Sequence, residues 1–182
     1  MHEDKDLVYW NNPVLREVCK PVEAVDESVR ALARRMFEVM YAHKGVGLAA
    51  PQVGVALRLF VVNCGEGTPG EHVLINPEIL ETSGSETDQE GCLSFPDIRV
   101  KVARPTFARV KAMDLSGEWK VFEGGDLLAR CYLHENDHLN GVLLIDKMGP
   151  LQKLNWKKTL ARLEREEADR RKGRKIEPAA RR

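Results

Sequence analysis

Residues His134-Glu135-Asn136-Asp137-His138 impose the tightest constraint on how this chain can fold. Two imidazoles four residues apart share a face when the segment is helical, one turn separating them, and both can then reach one metal ion. The flanking sequence predicts such a helix. Asp126-Leu127-Leu128-Ala129-Arg130-Cys131-Tyr132-Leu133 runs into His134, Asp126 stands where it can cap the first turn, and Gly141 follows as a stop. Leu127 and Cys131 fall on the stripe of His134 and His138, so an apolar wall would adjoin the ion. Glu135 is rotated about 100° from His134. It can take a proton from a water held by the ion without itself being a ligand. H-E-x-x-H also arises by chance on surface helices, so these five residues alone do not establish the chemistry.

A chain of 182 residues has the length of one domain with a sizeable core. The four cysteines, Cys19, Cys64, Cys92 and Cys131, show no C-x-x-C spacing. The N-terminus, Met1-His2-Glu3-Asp4-Lys5-Asp6, is acidic and has no apolar h-region, and no run approaches 18 apolar residues. Reduced thiols in a cytoplasmic protein, with no membrane span, are therefore expected. The formal net charge of zero conceals an asymmetry. Residues 151–182 carry 12 Lys+Arg against 5 Asp+Glu, leaving +7 on the end of the chain and −7 on the rest. A basic tail on an acidic body is either a solvated helix end or a surface for an anionic partner.

Taken in order, residues 7–25 read as irregular chain with turns at Asn11-Asn12-Pro13 and Lys20-Pro21. Asp26 then caps a helix whose apolar stripe is Val29, Leu32, Ala33, Met36 and Met40, ending by Gly45. In Gly45-Val46-Gly47-Leu48-Ala49-Ala50-Pro51-Gln52, the glycines allow close approach of neighbouring groups. Gln52 is a lone amide among apolar residues: either a loop glutamine or a donor aimed at an oxyanion. Leu57–Asn63 reads as a strand. Gly65–Gly70 matches G-x-G-x-x-G, but His72-Val73-Leu74-Ile75-Asn76 after it reads as a strand broken by Pro77. No helix starts there to hold a phosphate, so a hairpin loop is expected, with no nucleotide site and with His72 as a solvated loop residue. Strands follow at 78–88, 98–102, 107–113 and 119–122, with turns at Ser83-Gly84-Ser85 and Asp114-Leu115-Ser116-Gly117. Val142-Leu143-Leu144-Ile145 reads as a short buried segment, and Pro150 opens a last helix bearing Leu154, Trp156, Leu160 and Leu163. Beyond Leu163 the apolar stripe stops, so the helix end is expected to project or fray, with residues 173–182 mobile. Clustered strands flanked by helices, without a βαβ rhythm, predict the α+β class.

Two histidines leave a catalytic metal site one ligand short. A third histidine at position 144 would fit one protease pattern, but Leu144 stands there. Glu164, Glu166 and Glu167 lie in a charged helix end and make poor buried ligands. Cys92, between Gly91 and Leu93, is the better candidate, although free cysteines are most often buried structural residues.

Glu90-Gly91-Cys92-Leu93-Ser94 supplies the remaining signal. With Gly45–Gln52 before it and His134–His138 after it, the chain resembles the peptide deformylase family, whose motifs are GxGLAAxQ, EGCLS and HExDH. The resemblance spans roughly residues 7–165 and implies antiparallel sheets around a central metal-binding helix, with N-terminal and C-terminal helices. It implies one catalytic domain over 1–165 and a basic extension over 166–182. Cys92, His134 and His138 would hold the metal. Glu135 would be the catalytic acid and base, assisted by Gln52 and the Leu93 N–H. Gly45, Val46, Gly47, Phe95, Leu127 and Cys131 would line the substrate pocket, and Arg130 would stand at its mouth if its head turned that way. The implied reaction removes formyl from the N-formylmethionine of new polypeptides. Fe²⁺ would be the usual metal, with Zn²⁺, Ni²⁺ or Co²⁺ as substitutes. The basic tail would meet the anionic ribosome.

Overall fold

The computed structural model describes residues 6–65 and 70–173. The chain is α+β. Helix α1 (Glu27–Ala42) precedes strands β1 (Gly47–Ala49), β2 (Leu59–Val62), β3 (His72–Ser83), β4 (Glu86–Cys92), β5 (Phe95–Arg104), β6 (Phe107–Met113) and β7 (Trp119–Gly125). Helices α2 (Asp126–Leu139) and α3 (Pro150–Arg171) close it. The strands form an antiparallel five-stranded sheet, ordered β1-β2-β3-β6-β7, and a separate antiparallel hairpin of β4 and β5.

Strand alternation splits the apolar residues between the two faces of the larger sheet. Leu59 and Val61 of β2, with Val73 and Ile75 of β3, pack with Val29, Ala33, Met36 and Met40 of α1. Phe60, Val62 and Leu74 point the other way, onto Ala129, Tyr132 and Leu139 of α2. Helix α2, which carries His134 and His138, is therefore packed against a sheet buried on both faces. In the hairpin, Ile98, Val100 and Val102 of β5 face Leu15 and Leu160 and Leu163 of α3.

Asp26 caps α1 as expected, accepting from the Val29 N–H at 3.0 Å. Gly141 follows the end of α2 with φ +69°, and a Cβ there would lie 2.6 Å from the Arg16 carbonyl oxygen. It is thus both a left-handed stop and a point of close approach.

Several local expectations need correction. Asp126 is the first residue of α2, not its cap. Strand β7 runs directly into the helix, so Gly125 takes the cap position without a side-chain bond. Pro77 does not break β3, because a register shift between Ile75 and Glu78 accommodates its missing N–H. His72 is a partly buried residue of β3, its Nδ1 2.6 Å from the Tyr132 hydroxyl. Leu154 is exposed rather than part of the α3 stripe.

The end of α3 does not project. Glu167 is 4% exposed and accepts from the Asn12 amide at 2.6 Å. Asn11 donates to Glu164 at 3.0 Å, and the Arg170 guanidinium lies 4.3 Å from the Tyr9 ring centre. The N-terminal segment supplies partners that composition alone could not disclose. The boundary drawn at residue 165 falls inside this helix. Residues 66–69, within the expected hairpin loop, and 174–182, within the expected mobile tail, lie outside the described residues.

Candidate metal centre

Strand β4 and helix α2 meet at the three proposed ligands. Cys92 is the last residue of β4, at the base of the tight turn Leu93-Ser94 that leads into β5. His134 and His138 lie one turn apart on α2, their ring centres 5.1 Å apart and edge to face. Ligand atoms of Cys92, His134 and His138 lie within 4.8 Å of one another, and Cys92 Sγ is 3.3 Å from His138 Nε2. Sulfur and imidazole nitrogen bound to one tetrahedral ion, at about 2.3 and 2.0–2.1 Å, sit roughly 3.5 Å apart. The donor set therefore fits a divalent cation with one thiolate and two imidazole ligands.

The electrostatics fit as well. Burial works to lower the His134 pKa, but hydrogen bonding with Cys92 and Glu90 outweighs it and holds the group well above its ordinary value. Positive charge is favoured at this point. Burial, with the charges of His134 and Arg104, pushes His138 well below its ordinary value, leaving a neutral imidazole with a lone pair to share.

Glu90 is the residue that sequence reasoning left without a role. Its carboxylate lies 3.1 Å from His134 Nδ1, so His134 donates there and turns Nε2 toward the site. The same carboxylate accepts from Arg104 Nε at 2.8 Å and from Arg130 Nη1 at 2.7 Å. Arg104 also meets Asp137 at 2.7 Å. Burial would raise Glu90, yet the hydrogen bonds from His134 and Arg104 hold it well below the usual carboxylate range. One signal was available in the sequence: Glu90 and Cys92 are two apart on a strand and share a face. Nothing local pointed to Arg104. Arg130 is buried, tied to Glu90 and to the Val102 and Glu86 carbonyls. Its head supports the hairpin, and it also lines the cleft.

Glu135 is buried beside the ligands. Its Oε2 has no hydrogen-bond partner among the described residues. Desolvation pushes its pKa up to about 7. Gly47 makes room for it: a Cβ at that position would lie 2.5 Å from Glu135 Oε1. Gln52 is buried, not a surface glutamine. The Ala49 N–H donates to its Oε1 at 2.8 Å, which directs Nε2 toward Cys92 Sγ at 3.5 Å and Ser94 Oγ at 3.3 Å. Ser94 in turn donates to the Val8 carbonyl at 2.9 Å.

These groups open on a cleft of about 730 Å³. Gly45, Val46, Gly47, Gln52, Cys92, Leu93, Phe95, Leu127, Cys131, His134 and Glu135 all line it, while His138 is buried behind. Phe95 and Cys131 are buried, and Val46 and Leu127 stand at an exposed rim. The arrangement suits cation-assisted hydrolysis: three convergent donors that could hold a cation, a buried carboxylate with its pKa pushed up to about 7, an oriented amide and a partly apolar cleft.

Comparison with known proteins agrees with this geometry. Residues 4–154 match the model of the family described as polypeptide deformylase. Peptide deformylase 1 of Clostridium acetobutylicum is 51% identical over 139 residues, covering 76% of this chain and 91% of the relative. Peptide deformylase of Acidobacterium capsulatum is 45% identical over 151 residues, covering 82% and 89%. Among solved structures, a peptide deformylase from Legionella pneumophila superposes with a TM-score of 0.82 at 41% identity, covering 89% of this chain and 96% of that one.

Proposed function

This chain belongs to the peptide deformylase family, and from that premise we propose how its residues divide the work of the family's reaction. The enzyme is a metal-dependent hydrolase that removes the N-formyl group from new polypeptides. The observation that carries the assignment of roles is the Cys92–His134–His138 cluster with a buried carboxylate beside it.

Cys92, His134 and His138 hold the divalent cation. When bound, it supplies Lewis acidity, polarising the formyl carbonyl and acidifying water. Glu135 accepts the proton of the attacking water at its carboxylate and delivers it to the departing amine nitrogen. The Gln52 amide and the Leu93 N–H donate to the oxyanion that develops on the formyl oxygen. Val46, Phe95, Leu127 and Cys131 receive the methionine side chain, with Gly45 and Gly47 leaving room for the peptide. The defining test is formate release from a formyl-methionyl peptide by the metal-loaded protein. Cleavage of unformylated peptides with no formate release would refute the assignment.

Gly47 gives a sharper test of Glu135. In Gly47→Ala the new methyl would lie 2.5 Å from Glu135 Oε1 and 3.1 Å from its Cγ, so the carboxylate must shift from its place. A displacement of about 1 Å in a reacting group costs on the order of 10²-fold in rate. Turnover is expected to drop by about that factor with metal content unchanged by elemental analysis. Unaltered turnover would show that Glu135 need not sit where Gly47 admits it.

The resident metal is proposed to be Fe²⁺, with Zn²⁺, Ni²⁺ or Co²⁺ able to replace it. A thiolate ligand beside a redox-active ion is open to oxidation. The Fe²⁺ form should lose activity in air faster than the Ni²⁺ and Zn²⁺ forms. Equal half-lives of the three would count against the role given to iron or to the Cys92 sulfur.

The site of action is proposed to be the cytoplasm, on chains leaving the ribosome. Among the described residues, no helix is long and apolar enough to cross a membrane. The basic C-terminal segment would add long-range attraction to ribosomal RNA. Because α3 is docked through Glu167, the truncation that isolates charge from fold begins after Arg171. Removing residues 172–182 deletes 5 Lys+Arg and 1 Glu. Peptide deformylation should be unchanged, while ribosome binding at low salt should weaken and lose much of its salt dependence. Identical binding by both proteins at low and moderate salt would reject the contact.

A further inference from the structure

Of the three cysteines that take no part in holding the cation, two meet. Cys64 follows β2, and Cys131 sits on α2 one turn before His134. They are 67 residues apart in sequence, and their Sγ atoms are 3.4 Å apart. Both pack in the apolar cluster between α2 and the sheet. Cys64 is partly exposed and Cys131 is buried, lining the cleft. A disulfide sulfur–sulfur bond is about 2.05 Å, so closing this one asks the two atoms to approach by roughly 1.4 Å.

We propose that Cys64 and Cys131 form a reversible oxidation site, converted by hydrogen peroxide into an internal disulfide that ties the exit of β2 to the metal-binding helix and draws in one wall of the substrate cleft.

The environments of the two sulfurs divide the labour. The hydrogen bond with Cys64 and burial raise the pKa of Cys131, so Cys131 keeps its proton. That same hydrogen bond lowers Cys64, the sulfur within reach of solvent. The Cys64 thiolate attacks one peroxide oxygen, the O–O bond breaks, and Cys64 becomes a sulfenic acid as hydroxide leaves and is protonated to water. The Cys131 sulfur then attacks Cys64 sulfur and expels a second hydroxide, which takes the Cys131 proton to give water. Two thiols lose two electrons, and one peroxide becomes two waters. Cys19 does not compete, because burial pushes its thiol up to about 11.

The linkage needs no assumption about the reaction, whereas its effect on substrate binding rests on the deformylase reading. The test therefore has two separate readouts on the full-length Ni²⁺-loaded protein. After peroxide and before alkylation the intact mass should fall by about 2 Da, and after alkylation peptide mapping should show one 64–131 disulfide and two fewer alkylated thiols, all reversed by dithiothreitol. The KM for a formyl-methionyl peptide should rise while metal content stays constant. Cys64→Ser and Cys64→Ala should leave basal activity unchanged, form no linkage and keep the same KM after peroxide. Alkylation of both thiols at a peroxide dose that oxidises Cys92 would overturn the site. So would a disulfide joining Cys64 of two chains. Full linkage with an unmoved KM would overturn its effect on the cleft.

Discussion

Alanine at Cys92, His134 or His138 is expected to remove most of the bound metal and nearly all formate release. Each substitution leaves two donors where three converge within 4.8 Å, and two cannot fix a cation against water. The loss should exceed the roughly 10–100-fold weakening typical of removing a group that only orients a ligand, such as Glu90 behind His134. Cys92→Ala is the most informative of the three. Its sulfur ends a strand rather than lying in a helix core, so β4, β5 and α2 should persist by circular dichroism. Stoichiometric metal in that variant would exclude Cys92 as the third ligand.

Glu135→Gln should separate metal binding from catalysis. The amide keeps the shape of the carboxylate and its fit against Gly47 but cannot accept a proton at the attacking water. Metal should remain stoichiometric while turnover falls by at least the roughly 10²–10⁴-fold typical of acid–base groups. Near-normal turnover in the metal-loaded variant would remove Glu135 from the mechanism. The wild-type pH profile gives an independent check. Burial pushes Glu135 up to about 7, and a cation held at the three donors pulls it back down by favouring the charged carboxylate. The base must be deprotonated, so kcat/KM should fall as pH drops, with its acid limb below about 7 in the loaded enzyme. The Glu135→Gln variant should lack that limb.

What could be read from sequence was read from residues close together in the chain. The i,i+4 histidines required a helix, and α2 carries them. The stripe of α1 and the alternation of β5 followed from apolar spacing of 3.6 and 2. Three short motifs in fixed order brought Cys92, Gln52 and Glu135 into consideration, and the fold gathers them around one cleft. These features were legible because a local period or a short motif expresses them within one or two turns of chain.

Only the tertiary structure decided which distant charges and sulfurs would meet. Glu90 finds His134 at a separation of 44 residues because the β4–β5 hairpin is laid against α2, and it finds Arg104 at 14 across the hairpin itself. Arg130 follows the same carboxylate inward, where its helix position alone left its direction open. Glu167 is buried because Asn12 awaits it across 155 residues, so a charged helix end that composition marks as solvated becomes a docked one. His72 and Tyr132, like Cys64 and Cys131, meet only once β2 and β3 lie on α2. The physical reason is shared: burying a charge or polar group is costly unless a partner compensates it, and the partner's position is set by packing rather than by spacing along the chain.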